Sequence, residues 1–259
     1  IQGAAGLVAL EGFGGQKARY VPSLIDDKTT GLFAALAMSA ALYHRLATGE
    51  GQEIDVPMFE SMVSFTMLEH LWGESFVPAR GRVGSLRHAT PLRWPYETMD
   101  GHICAMPGSD KHWRGLLDAL DRDDLRHNPI LKDRDSRREN TEAVIALLSE
   151  LMLTRTTEDW LTLLTDAGVP CMRVSTLEDV VADEHLADVG FWHEMDHPTE
   201  GRVRLMKPPY TLAKSPAEIR RPPPRFGEHT RAILAEHGFD ADTIESLVSE
   251  GAVLDETSS

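Results

Sequence analysis

Apolar residues along this chain recur at helical more often than at strand spacing. The longest nearly apolar stretch, Gly31 to Tyr43, is dominated by Ala and Leu with no internal Gly or Pro, which predicts a helix. Its apolar positions run nearly all the way round, the mark of a buried helix. Thr48-Gly49-Glu50-Gly51 supplies its stop. From Pro57 to Trp72, the residues Met58, Met62, Phe65, Leu68 and Trp72 repeat at helical spacing and predict a second core helix. Three further helical runs lie between Lys111 and Gly168: Trp113-Leu116-Leu117-Leu120, Val144-Leu147-Leu148-Leu151, and Trp160-Leu161-Leu163-Leu164. Residues 121–139 are strongly charged and read as a solvated loop with helix ends.

Strand signals are shorter. Gln52 to Val56 reads as a strand, and Trp94 to Met106 as a hairpin turning at Asp100-Gly101. Val169 to Arg173 is a third candidate strand. Gly190 to Leu205 forms a second hairpin around Pro198 to Gly201. One short helix is expected over Glu178 to Asp188, and others at Thr230 to His237 and Asp242 to Ser249. Prolines 208, 209, 216, 222, 223 and 224 make residues 206–225 an extended surface arm. Gly12-Phe13-Gly14-Gly15 reads as a turn, and no internal repeat is evident.

The 259 residues are 42% hydrophobic and 26% charged, enough for one large domain or two modest ones. A net charge of -15 opposes nucleic acid and anionic membrane surfaces, so neither is an expected partner. The two cysteines, Cys104 and Cys171, have neither disulfide-framework nor metal-ligand spacing and fit a reducing compartment. No signal-peptide pattern is visible, and Gly31 to Tyr43 is too short to span a bilayer. The expectation is a soluble, cytoplasmic protein. The opening Ile1-Gln2-Gly3-Ala4-Ala5-Gly6 reads as though drawn from the middle of a longer chain.

His193-Glu194-Met195-Asp196-His197 is a literal H-E-x-x-H. A zinc peptidase needs both histidines on one helix face. Here Pro198 follows at once and the neighbours are strand-like, so no metal is expected. His127, His185 and His237 read as surface or helix-end residues. Neither a nucleophile elbow, nor a P-loop, nor a dinucleotide fingerprint is present. The Asp26-Asp27 pair remains. An aspartate before an Ala/Leu-rich run is what an N-cap looks like. Yet a helix start also favours the ionised carboxylate by about 0.3–1 kcal/mol, leaving it available as a nucleophile.

A set of short stretches, taken in order, adds to this reading. Tyr20-Val21-Pro22-Ser23-Leu24-Ile25-Asp26-Asp27-Lys28-Thr29-Thr30-Gly31-Leu32 leads into a small-residue helix. Tyr43-His44-Arg45, Thr48 to Gln52 and Ile54-Asp55-Val56 follow. Then come Tyr96 to Gly101, Trp113, Gly168-Val169-Pro170, Thr176 to Val180, His197-Pro198 with Gly201, and Gly227-Glu228-His229-Thr230. Together they resemble the family III CoA-transferases, the group that includes formyl-CoA transferase, across essentially the whole chain.

The resemblance implies an α/β fold: a large α/β domain joined to a smaller α+β domain, in an interlaced homodimer. Residues 1–75 and 200–259 would belong to the large domain and 90–195 to the small one, with 76–89 and 196–225 as linkers and arm. The family's catalytic aspartate lies four residues before the glycine that opens the helix, which is Asp27 here. That carboxylate would attack an acyl-CoA thioester to give a mixed anhydride and the CoA thiolate. The thiolate would then displace the acid to give an aspartyl-CoA thioester, and an acceptor acid would finally take up the CoA. Backbone N–H groups at the helix start would stabilise the oxyanions. Gln2, Tyr20, Lys28 and Asp110 are the further positions implied to contact substrate or CoA. No tightly bound cofactor is implied: coenzyme A enters as acyl-CoA, with a small carboxylic acid as the other partner.

Two departures from the family pattern bear on this. Much of the family's CoA-binding surface comes from an N-terminal segment absent here, which leaves most of the nucleotide site unassigned and the chain alone not necessarily active. The glycine-rich active-site loop has no clear counterpart either: Arg80 to Leu86 stands near its place and leaves substrate choice open. A second reading is an α-methylacyl-CoA racemase, for which Asp110 aligns with an active-site acid. Its histidine would precede Ile1, and its Gly-rich run after the aspartate is replaced by Lys28-Thr29-Thr30. A third reading, of another class, is a non-catalytic relic or scaffold.

Overall fold

A computed structural model describes residues 1–12, 17–85 and 94–256. The chain separates into two units, Ile1–Val174 and Ser175–Ser259. Phe13, Gly14 and Gly15 of the candidate turn, and Leu86 and Pro91 of the loop before the first hairpin, lie outside the described residues.

The first unit opens with a short helix α1 (Leu7–Glu11), then the long α2 (Ile25–Thr48) and α3 (Met58–His70). Helix α2 begins six residues before the apolar run predicts, directly after Pro22 and Ser23, with Leu24 at its N-cap. Asp26 and Asp27 therefore sit in its first turn rather than capping it. Gly49 closes the helix at φ 81°, its N–H donating to the Arg45 carbonyl at 2.8 Å; that left-handed conformation is easy only without a Cβ.

The buried-helix expectation for α2 is corrected. It contains no buried residue, and Leu32, Leu36 and Leu46 are 74%, 67% and 85% exposed. Helix α3 packs against it, and a stripe through Thr30, Phe33, Ala37 and Ala41 is half-buried. In α3 itself Met62 is buried, whereas Phe65 and Leu68 are exposed. Residues Gln52–Val56 are not a strand either. A strand needs a partner to satisfy its backbone groups, and none pairs with this segment among the described residues.

Residues 94–174 close on themselves. Strands β1 (Tyr96–Glu97), β2 (His102–Ala105) and β3 (Cys171–Arg173) form an antiparallel sheet in that order. Ile103 stands opposite Tyr96 on one side and Arg173 on the other. Helices α4 (Asp110–Leu120), α5 (Asp123–Arg126), α6 (Arg134–Glu139), α7 (Thr141–Met152) and α8 (Thr157–Asp166) complete the unit. Their inward faces bury Tyr96, Ile103, Trp113, Leu116, Val144, Leu148, Trp160 and Leu164 in one cluster. The Trp160 indole donates to the Met152 carbonyl at 2.8 Å, so its only polar atom is satisfied in the core. Gly115 lets α4 approach the end of α8 so closely that a Cβ would collide with the Ala167 carbonyl. The expected loop at 121–139 is instead two short helices and a 3-10 turn (Pro129–Leu131), held by buried Leu125, Leu131 and Arg137.

The hairpin turn is tied to α8 through Asp100. Its carboxylate accepts from the Thr157 N–H at 2.7 Å, the Thr157 hydroxyl at 2.9 Å and the Thr98 hydroxyl at 3.3 Å. The Thr157 N–H is the largest of the influences that hold this carboxyl below the usual range.

In the second unit, the single helix expected over 178–188 is two, α9 (Leu177–Val181) and α10 (Glu184–Asp188), because Asp183 restarts the helix by accepting from the Leu186 N–H at 2.9 Å. Strands β4 (Trp192–His197) and β5 (Gly201–Met206) form the second hairpin, with His197 opposite Gly201. The proline-rich arm has no regular structure. It is fastened where His197 Nε2 donates to the Pro223 carbonyl at 2.8 Å, while Nδ1 accepts from the N–H groups of Thr199 and Glu200. Helices α11 (Thr230–Glu236) and α12 (Ala241–Ser249) are joined through Arg231, which pairs with Glu245 and with the buried Asp255. No helix among the described residues is long and apolar enough to cross a membrane.

Leu148→Ala should lower unfolding free energy by about 2–5 kcal/mol in urea titration, as for other enclosed leucines. Leu46→Ala, on the open face of α2, should change it by no more than about 0.5 kcal/mol. Asp100 generates a pH-dependent prediction. Its lowered carboxyl contributes stability present above the unfolded-state pKa and lost as pH falls through the folded-state value. Asp100→Asn should therefore reduce Tm at neutral pH, and its difference from the parent should shrink on acidification below the ordinary aspartate range.

Candidate active site

The start of α2 places two adjacent carboxylates on different faces, since successive helical residues are turned by about 100°. Asp26 heads the half-buried stripe of Thr30, Phe33 and Ala37. Its Oδ1 and the Thr30 hydroxyl are both buried without a hydrogen-bond partner. Asp27 heads the opposite stripe with Gly31, Ala35, Met38 and Leu42, all exposed. Of the pair, Asp27 is the carboxylate open to a ligand.

Residues before Asp27 are held by side chains. Gln2 Oε1 accepts from the Val21 N–H at 2.9 Å, and its Nε2 donates to the carbonyls of Val21 and Ser23, each at 3.3 Å. Lys28 Nζ donates to Ser23 Oγ at 3.1 Å. Tyr20, one residue before this segment, is 72% exposed. Leu24 offers no side-chain acceptor at the N-cap, and the first helical bond runs from the Lys28 N–H to the Leu24 carbonyl at 3.1 Å. The N–H groups of the opening turn precede that bond and point along the positive end of the helix dipole.

Three of the five sequence candidates, Gln2, Asp27 and Lys28, thus meet at one helix start, and Tyr20 precedes it in sequence. Asp110 does not join them through any hydrogen bond. It opens α4 and pairs with Arg137, a buried residue that also donates to the Leu131 carbonyl at 2.9 Å and lies over the Trp113 ring at 5.2 Å. Arg137 escaped sequence reading because it sits in a charged stretch whose other arginines face solvent.

Asp27 lines neither of two cavities found among the described residues. One, of about 220 Å³, is apolar and lies beside β2 and β3 among Trp94, Met106, Pro170 and Met172. The other, of about 320 Å³, lies in the second unit among Val181, Leu186, Trp192 and Arg204. The H-E-x-x-H residues occupy strand β4, where Glu194 pairs with Arg202 and Arg204 and is held below the usual carboxylate range chiefly by the Arg204 hydrogen bond. No cluster of three potential metal ligands exists among the described residues.

An exposed carboxylate in the first turn of a small-residue helix thus follows a clamped Val-Pro-Ser segment. Residues 1–230 match CoA-transferase family III, and the chain belongs to that family. It is 30% identical to human succinyl-CoA:glutarate CoA-transferase over 232 residues, covering 88% of this chain and 52% of that protein. It is also 30% identical to the succinyl-CoA:mesaconate CoA-transferase of Haloarcula marismortui over 227 residues, 85% of this chain and 55% of that one. Among solved structures, a CaiB/BaiF family protein from Brucella suis superposes with TM-score 0.74 at 26% identity, over 91% of this chain and 61% of that chain. The fold is thus the mixed helix and strand fold implied by the resemblance. The chain spans about half the length of the curated relatives it matches.

Arg137→Met should lower stability by about 1–3 kcal/mol in urea titration, because it removes charged hydrogen bonds from a buried site. Asp110→Asn, on a half-exposed partner, should cost less than about 1 kcal/mol.

Proposed function

We propose that this chain carries the nucleophile of a CoA-transferase that moves coenzyme A between an acyl-CoA thioester and a small carboxylic acid. The observation that carries the reading is membership of CoA-transferase family III over residues 1–230, with Asp27 as the open carboxylate of the α2 start. Asp27 attacks the thioester carbon; the C–S bond breaks and CoA leaves as thiolate, giving an acyl-aspartyl anhydride. The thiolate then attacks the aspartyl carbonyl and releases the original acid, leaving CoA on Asp27. The acceptor carboxylate attacks that thioester, and the returning thiolate collects the new acyl group while Asp27 is regenerated. Each tetrahedral oxyanion requires donors already in place, and the uncapped N–H groups of the α2 opening turn are suited to that task. Tyr20, exposed just before the Val21–Ser23 turn, and Lys28, next to Asp27 in the first turn of α2, are assigned to substrate or CoA contact.

Anhydride chemistry needs exclusion of water, and an Asp27 exposed in this chain requires further surface to cover it. An interlaced homodimer, with residues 1–75 and 200–259 in a large domain and 90–195 in a small one, supplies such surface and belongs to the same proposal. Both named relatives take succinyl-CoA with a dicarboxylic acid, so succinyl-CoA is the first donor to try.

The test is intact-mass analysis after incubation with succinyl-CoA and a series of other acyl-CoAs, quenched with hydroxylamine. A hydroxamate on the protein, mapped by peptide sequencing to Asp27 and lost in Asp27→Ala, is the expected outcome. Deuterium exchange at the acyl α-carbon without any adduct would replace this reading with the racemase. Neither signal, from folded protein, would leave a scaffold.

A further inference from the structure

We infer that Gln2 is a positioning residue for Asp27, acting through the backbone of Val21 and Ser23 rather than by touching substrate; the inference rests on the proposed nucleophilic role of Asp27. Pro22 lacks an N–H, and the Ser23 N–H closes back on the Val21 carbonyl at 2.8 Å, a three-residue turn suited to the fixed φ of proline. That tight turn leaves the Val21 N–H and the Ser23 carbonyl without partners in the turn itself. Gln2 meets both, donating a second bond to Val21 as well. The amide thereby spends both hydrogens and one acceptor site on a segment 19–21 residues away. Its own backbone carbonyl is engaged too, accepting from the N–H groups of Leu7 and Val8 at 3.1 and 3.4 Å. Gln2 thus fixes the entry to α2 relative to the start of α1.

Among the described residues, no other side-chain hydrogen bond ties the opening of α2 to a distant segment. Leu24 cannot cap, and the Lys28–Ser23 bond is local to the turn. Rotation of the Val21–Ser23 segment would carry the first helical turn with it, and Asp27 lies three residues beyond Leu24 in that turn. Small displacements of a reacting group are costly: about 1 Å can lower a rate by roughly 100-fold. A side chain committed to backbone atoms has little capacity left for a ligand, so its loss should alter rate rather than affinity.

The experiment compares parent and Gln2→Met, which keeps length but removes the amide, in two measurements. The first is the rate of hydroxylamine-trappable adduct formation against succinyl-CoA concentration. The second is backbone amide exchange by mass spectrometry. Expected are a fall of about 10- to 100-fold in the saturating rate, an unchanged half-saturating concentration, and faster exchange across residues 21–28 while the Trp160 region keeps its protection. An unchanged saturating rate, or a raised half-saturating concentration at unchanged rate, would overturn the inference and return Gln2 to ligand contact. Unaltered exchange at 21–28 would overturn the clamp itself. If the parent forms no adduct, the proposed function fails, and the exchange arm alone decides whether Gln2 holds the turn. Loss of protection around Trp160 as well would mean general unfolding and count against a local role; Gln2→Glu, which keeps the acceptor for Val21, should then show a smaller rise in exchange if the clamp is real.

Discussion

Apolar surface left in water is unfavourable by about 25 cal/mol per Å², and helix α2 leaves a great deal there. Leu32, Leu36, Tyr43 and Leu46 are all more than two-thirds exposed, from 67% to 85%, on a helix of 24 residues that packs chiefly against α3. Residues 94–174 have the opposite balance. There the helices α4, α7 and α8 find one another and a small sheet, and Trp160, Ile103 and Leu148 are almost entirely enclosed. One stretch of this chain is self-sufficient, and the other presents a surface that calls for cover. The candidate chemistry sits on the second.

That contrast explains which expectations match the structure. Where folding is decided locally, residue patterns are reliable guides. Asp100-Gly101 makes its hairpin, and Trp113-Leu116 and Trp160-Leu164 pack inward at helical spacing. Where the outcome depends on distant partners, pattern misleads. Apolar positions all round α2 read as burial, but burial needs a neighbour. Gln52–Val56 has strand composition, but a strand needs another edge. In 121–139 the abundance of charge concealed three inward residues, one of them an arginine that doubles as the support of Asp110.

The start of α2 shows the same limit at single-residue scale. Acidic residues favour both the N-cap and the first turn, so composition alone could not say which role Asp26 and Asp27 take. The decision lies in the Val21–Ser23 turn and in Gln2, whose bonds cross some twenty positions of sequence. The choice between the two aspartates then follows from helical phase. Resemblance pointed to Asp27, and the helix independently turns that carboxylate outward while placing Asp26 on the half-buried stripe.

The outward stripe joins the two themes. Asp27, Gly31, Ala35, Met38 and Leu42 lie on one exposed face, and a Cβ at Gly31 would meet no described atom within 4 Å. The proposed nucleophile and the uncovered apolar surface therefore share a side of α2. A surface laid on Met38 and Leu42 for hydrophobic reasons would extend, one or two helical turns further, over small residues that allow close approach and then over Asp27. Covering the helix and drying the site are then a single event, with the free energy of apolar burial available to strengthen the electrostatics around the carboxylate. Chemistry that requires a water-excluded anhydride is best served by a nucleophile placed where that burial must occur.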